Sequence, residues 1–161
     1  MIPLRYLPRT LSTADKQKQR NMLNKSKRLY KKGQYYTRRK VDSYKSKPSN
    51  HVTNARKLYK IENITPNRQL AIATGCSLSA LQKIVNKGEG AYFSSGSRPN
   101  QTAQSWGLAR LASSITGGKA AAIDYNILET GCDHKKRAFR LAKKSRKTYK
   151  NGHSRTKHVK I

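Results

Sequence analysis

The sequence predicts an all-α fold: a small helical core with a helix-turn-helix-like hairpin, flanked by extended basic arms. Three observations predict it. Charge is segregated: residues 1–60 hold 18 Lys/Arg against 2 Asp/Glu, residues 61–132 hold 6 against 4, and residues 133–161 hold 12 against 1. The apolar fraction is 35%, against roughly 45–50% in ordinary globular chains, so one core does not take in the whole chain. Helix-starting and helix-stopping residues bracket short apolar patterns along its length. The expected organisation is a basic N-terminal arm with one helix over 1–60, a compact helical core over 61–132, and a basic C-terminal helix and tail over 133–161. No internal repeat is evident.

In the N-terminal arm, Ser12 is an N-cap and Asp15 three residues on resembles a capping box. The predicted helix runs from Thr13 to Lys32, with Gly33 as its stop. Its larger apolar residues are few: Met22, Leu23, Leu29 and Tyr30. So small a stripe leaves an isolated helix marginal in water, and a partner is expected to order it. Aromatic and basic residues then alternate from Gln34 to Val41, Pro48 breaks the chain, and a short helical stretch is expected around Thr53–Tyr59.

The centre opens with Thr65 as N-cap and Pro66 at the first helical position. Gly75 suits a left-handed turn, Ser77 or Ser79 restarts a helix, and Gly88 stops it. Leu70, Leu81 and Ile84 fall where two helices would pack across that turn. The pattern resembles a DNA-binding helix-turn-helix, whose second helix, about Ser79 to Asn86, would face the major groove. Gln82 and Lys83 are its candidates to reach bases or phosphates. An ordinary helical hairpin gives the same pattern. Next, the loop Ser94–Asn100 sets glycine, serine and asparagine around Arg98, a composition able to cradle an anion or to satisfy itself as a tight turn. Thr102 caps a helix to Thr116, Gly117-Gly118 ends it, and a last core helix is expected over Ala120–Thr130. The predicted core is Trp106, Leu81, Ile84, Leu111, Ile115, Ile123 and Ile127, with Tyr92 and Leu108 beside them.

The C-terminal segment reads as one helix from Asp133, its N-cap, to Lys150, stopped by Gly152. Ala138, Phe139, Leu141 and Ala142 make its apolar stripe.

A net charge of +29 repels itself in a folded chain and points to a polyanionic partner, nucleic acid first. Candidate contacts in the N-terminal arm are Lys25, Lys27, Arg28, Lys31, Lys32, Arg38, Arg39 and Lys40. In the centre they are Lys83 and Arg98. In the C-terminal helix they are Lys135, Lys136, Arg137, Arg140, Lys143, Lys144, Arg146 and Lys147. The arm tyrosines Tyr30, Tyr35, Tyr36, Tyr44 and Tyr59 could stack on exposed bases or anchor the arms. Anionic lipid is the weakest competitor, because no apolar run approaches the ~20 residues of a membrane span, and the first residues do not read as a signal peptide. Two cysteines, Cys76 and Cys132, make no disulfide framework; a reducing compartment and two buried, small apolar side chains are expected. Thr-Gly-Cys occurs at 74–76 and again at 130–132, where each glycine reads as a residue just past a helix end.

Catalytic chemistry is not expected. The seven acids do not pair at a two-metal or two-carboxylate spacing. Gly88-Glu89-Gly90 lacks the Lys-Ser/Thr ending of a phosphate loop, and Ser95 forms no nucleophile elbow. Cys132 and His134 lack the paired spacing of zinc sites. No cofactor or metal is expected.

One stretch resembles a known group of proteins. It runs from Lys83 to Asp124 through Gly90-Ala91-Tyr92-Phe93-Ser94-Ser95-Gly96-Ser97-Arg98-Pro99-Asn100-Gln101-Thr102, then Ser105-Trp106-Gly107-Leu108-Ala109-Arg110-Leu111-Ala112-Ser113 and Ile115-Thr116-Gly117-Gly118-Lys119. It is similar to an uncharacterised family found in large DNA viruses of eukaryotes, with looser relatives in tailed phages. The resemblance covers about residues 25–132 and implies a viral protein of the particle; it carries no fold, activity or site residues. With the charge, it leads to a structural virion protein, a minor capsid or inner-capsid component, whose partners are double-stranded DNA or acidic capsid proteins. The alternatives are a helix-turn-helix regulator or DNA-condensing protein, a ribosomal-type RNA-binding protein, and a capsid cement protein that touches no nucleic acid.

Overall fold

Ser12 begins the longest helix: its hydroxyl accepts from the Asp15 amide, as an N-cap should. The second half of the expected capping box is diverted. The Asp15 carboxylate accepts from the Ser43 amide and the Ser12 amide donates to the Ser43 hydroxyl, so the cap ties helix to loop. Hydrogen bonding from the Ser43 side chain and backbone holds the Asp15 carboxyl below its ordinary pKa.

The computed structural model describes residues 2–47, 49–152 and 157–159. Within them the fold is mostly helical, as predicted. The elements are β1 (Ile2–Pro3), a 3-10 turn (Leu4–Tyr6), α1 (Thr13–Lys31), α2 (Asn50–Tyr59), α3 (Arg68–Thr74), α4 (Leu78–Ser94), α5 (Ala103–Ile115), α6 (Lys119–Ile123), α7 (Tyr125–Gly131), α8 (Arg137–Tyr149) and β2 (His158–Val159). β1 and β2 pair antiparallel, Ile2 opposite Val159, a two-residue sheet that no sequence pattern signalled.

Two packing units divide the chain differently from the three expected segments. One unit holds 2–47, 89–106 and 157–159; the other holds 49–88 and 107–152. In the first, Ile2, Tyr6, Leu7, Leu11, Met22, Leu23 and Val41 form a buried cluster, with Tyr36, Tyr44 and half-buried Trp106 against it. The partner that orders α1 is therefore this chain's own residues. Burial of each such side chain is worth about 1.5–3 kcal/mol, enough to order a helix that is marginal alone.

The second unit's core contains Leu70, Leu81, Ile84, Leu111, Ile115 and Leu128, each wholly buried, with Ala138, Phe139 and Ala142 of α8. Of the predicted core residues, Ile127 packs on it only partly buried, and Ile123 is half-buried. The cap of α3 is Asn67, whose side chain accepts from the Leu70 amide, rather than Thr65; the Thr65 hydroxyl accepts from Asn67 instead. The α8 helix begins at Arg137, after a turn in which the Asp133 carboxylate accepts from the Lys135 amide.

Two further corrections have tertiary causes. Gly88 does not stop α4, which continues to Ser94. A Cβ on Gly88 would lie 2.6 Å from the Gly107 Cα, so this glycine serves a close approach of α4 and α5. The expected helix over Ala120–Thr130 is split at Asp124. That carboxylate is buried, accepts from Arg110 at 2.7 and 2.8 Å and from the Ser114 hydroxyl at 3.2 Å, and lies 3.2 Å from the Lys87 ammonium. A buried carboxylate needs such compensation.

Candidate nucleic-acid interface

In α8 the buried positions are Ala138, Phe139, Ala142 and Ser145. This one-four-seven spacing puts a single stripe inward and leaves Arg137, Arg140, Lys143, Lys144, Arg146 and Lys147 exposed. The helix packs on α6 and α7, and the Ser145 hydroxyl donates to the Gly118 carbonyl at 2.7 Å. Two of these head groups lie over rings: the Arg146 guanidinium is 4.9 Å from the Tyr125 ring centre and the Lys143 ammonium 5.9 Å from that of Phe139.

The segment entering α8 is fastened to the α3–α4 turn. Gly75 takes the left-handed conformation at φ 75° as predicted, and a Cβ there would lie 2.5 Å from Lys136 Cγ. The Ser77 amide donates to the Gly131 carbonyl and the Asp133 amide to the Gly75 carbonyl. Between these bonds Cys76 and Cys132 face each other and are joined as a disulfide. The cysteines are buried as expected, but bonded rather than isolated. The two Thr-Gly-Cys triplets meet in space. Gly131 is the last helical residue of α7, not one past it, and a Cβ on it would lie 2.4 Å from that of Ala80.

The hairpin of α3 and α4 exposes Ser79, Gln82, Lys83 and Asn86. Gln82 donates to Asn86 at 2.9 Å, so these amides are engaged with each other. Ser77, Ser79 and Lys83 of this hairpin, with Asn126, Ile127 and Thr130 of α7, line a shallow groove of about 340 Å³. Ile72 and Leu78 are exposed apolar residues beside the turn.

In the first unit, Arg28, Lys31, Lys32, Arg39 and Lys40 are exposed and Lys27 is half-buried. The Lys25 ammonium lies over Tyr36, 4.6 Å from its ring centre. Arg38 departs from expectation. It is 7% exposed, donates to the Ser26 and Ser97 hydroxyls and the Tyr92 carbonyl at 2.8–3.0 Å, and stacks 3.8 Å from the Tyr92 ring centre. Burial pulls its pKa down. Arg38 is thus an internal strut and not a surface contact. Arg98 is exposed, but its loop is committed inward: Ser97 donates to the Arg98 carbonyl, and Asn100 bonds the Val41 amide and the Val41 and Tyr44 carbonyls. Of the arm tyrosines, Tyr59 donates its hydroxyl to the Ile115 carbonyl, and burial raises its pKa.

Lys/Arg–carboxylate pairs join Arg56 to Glu62, and Lys87 and Arg110 to Asp124. None of the predicted contact residues is in these pairs. The Asp124 cluster was not foreseen; a lone acid in the apolar run Ala120–Leu128 was the available signal.

A family model matches residues 3–136 of the 161. The chain belongs to DUF5824, a family of unknown function. The DUF5824 match spans α1 to α7 and both cysteines and stops one residue before α8 begins. No curated protein and no solved structure matches the chain.

Proposed function

We propose that this DUF5824 protein is a non-enzymatic structural component of a virus particle, a minor capsid or inner-capsid protein whose exposed cations neutralise packaged double-stranded DNA. One observation carries the polyanion reading: α8 turns six Lys/Arg side chains outward from a buried Ala138–Phe139–Ala142 stripe. The mechanism is counterion release, in which each phosphate met by a Lys or Arg frees condensed cations. Placement in a virion rests on the viral resemblance of the Lys83–Asp124 stretch. Sequence readout by α4 is the weaker reading, because Gln82 and Asn86 bond each other and Lys83 is the sole cation on the exposed face of its first two turns.

The test is a fluorescence-anisotropy titration of the full chain against a duplex of random sequence over a range of salt. Tight, steeply salt-dependent binding is expected. Changing Arg140, Lys143, Lys144 and Lys147 together to Gln should flatten the log–log salt slope by about 3–4, near 0.9 for each phosphate left without its cation. Truncating residues 1–60 is the poorer experiment, since it removes buried residues of the first unit. An unchanged slope, or binding to acidic protein but not to DNA at low salt, would overturn the DNA reading.

A further inference from the structure

All nine tyrosines of the chain lie among the described residues. Only Tyr30 and Tyr35 are exposed, at 38% and 72%. They are neighbours. Their ring centres are 6.1 Å apart, and the Tyr35 ring lies 5.1 Å from Phe93, which meets the buried Tyr92 edge-on.

The backbone fixes this cluster from both sides. Tyr30 stands on the last turn of α1. The amides of Lys32, Gly33 and Gln34 donate to the Leu29 and Tyr30 carbonyls, reversing the chain so that Tyr35 returns beside Tyr30. Three residues later the Arg38 amide donates to the Tyr92 hydroxyl and its guanidinium to the Tyr92 carbonyl. Phe93, next to Tyr92, is thereby placed under Tyr35. The rings are therefore preorganised, and ordering them is not a cost left to binding.

The surroundings say what such rings would meet. Residues 16–41 contain eleven Lys/Arg and no Asp/Glu. Arg28, Lys31, Lys32, Arg39 and Lys40 are exposed close by in the chain. Aromatic faces interleaved with cations match a strand that offers π-faces and phosphates together, and unpaired bases offer faces that a duplex keeps stacked.

We propose that Tyr30, Tyr35 and Phe93 form a stacking platform for unpaired bases of single-stranded nucleic acid, with the neighbouring cations on its phosphates. The proposal rests on the polyanion reading and adds base contact to it. Duplex DNA would bind through charge alone, and a single strand through charge and stacking.

The experiment compares three probes on the full chain at one salt concentration: a 20-nucleotide oligo-dT, a strand of 20 abasic sites, and a duplex of the same length. The wild-type protein should prefer oligo-dT to the abasic strand by roughly tenfold or more, the effect of one or two stacked bases. In Tyr30→Leu/Tyr35→Leu that preference should collapse to within about twofold, while duplex affinity, its salt slope and the melting temperature hold. Tyr35→Trp should keep the preference, with indole fluorescence quenched by oligo-dT. A wild-type protein indifferent to bases, or a preference that survives the double substitution, overturns the platform. Failure to bind even the duplex and abasic strand overturns the polyanion reading beneath it, and the platform with it.

Discussion

Arg38 and Arg39 are adjacent, identical in chemistry and opposite in fate. Arg38 is inside, with donors on Ser26, Ser97 and Tyr92; Arg39 is exposed. Removing the buried guanidinium strips hydrogen bonds from three acceptors and leaves a cavity against the Tyr92 ring. Arg38→Met should therefore destabilise the protein by about 3 kcal/mol, read as a lower urea midpoint at constant m-value. Lys would not replace it, because a point cation cannot span three acceptors as the fork does. Arg39→Gln should stay within about 0.5 kcal/mol of wild type and act on nucleic-acid affinity alone. Equal destabilisation by the two changes would show that the assigned burial is wrong. No run such as Thr37-Arg38-Arg39-Lys40 distinguishes these fates by composition. Strand-like alternation across Tyr36, Arg38 and Lys40 is not hydrophobic, so the inward residue carried no periodic signal.

At the scale of elements, α4 tests how packing overrides propensity. Gly88 and Gly90 lie two residues apart in one helix, and Ala at either would ordinarily gain up to about 1 kcal/mol in helix propensity. A Cβ at Gly90 meets nothing within 4 Å, whereas at Gly88 it would overlap Gly107. Gly90→Ala should thus stabilise by up to about 1 kcal/mol, and Gly88→Ala should destabilise by about 1–3 kcal/mol through overpacking, both measurable by thermal melting. The same sign for both would refute the close approach. This approach also explains why a stop expected at Gly88 is absent: a glycine demanded by a neighbouring helix reads like one demanded by a cap. Asp124 makes the complementary case, where a buried carboxylate held by Arg110 interrupts what the apolar pattern reads as one continuous helix.

For the whole molecule, the Cys76–Cys132 bond is the covalent cross-link, joining residues 56 positions apart. The loop-entropy model assigns about 4 kcal/mol to such a cross-link. Cys76→Ser/Cys132→Ser, or the wild-type chain in excess dithiothreitol, should melt roughly 10 °C lower than the oxidised chain. Because the bond fastens the α3–α4 turn to the approach of α8, hydrogen exchange at Ser77 and Asp133 should rise on reduction. An unchanged melting temperature would mean that the remaining packing alone fixes these turns.

The sequence by itself determined the helical class, the Ser12 and Thr102 caps, the left-handed Gly75, the inward stripe of α8 and most of the central core. Each is written in a local pattern of two to ten residues, where capping chemistry and 3.6-residue periodicity act without help from distant chain. Only the tertiary structure decided that residues 2–47 have a core of their own, that Arg38 is internal, that Cys76 meets Cys132, and which two tyrosines remain in water. The core of 2–47 joins segments with no shared local pattern, and the internal Arg38 and the Cys76–Cys132 bond depend on partners 54 and 56 positions away. No local periodicity encodes a partner at that distance.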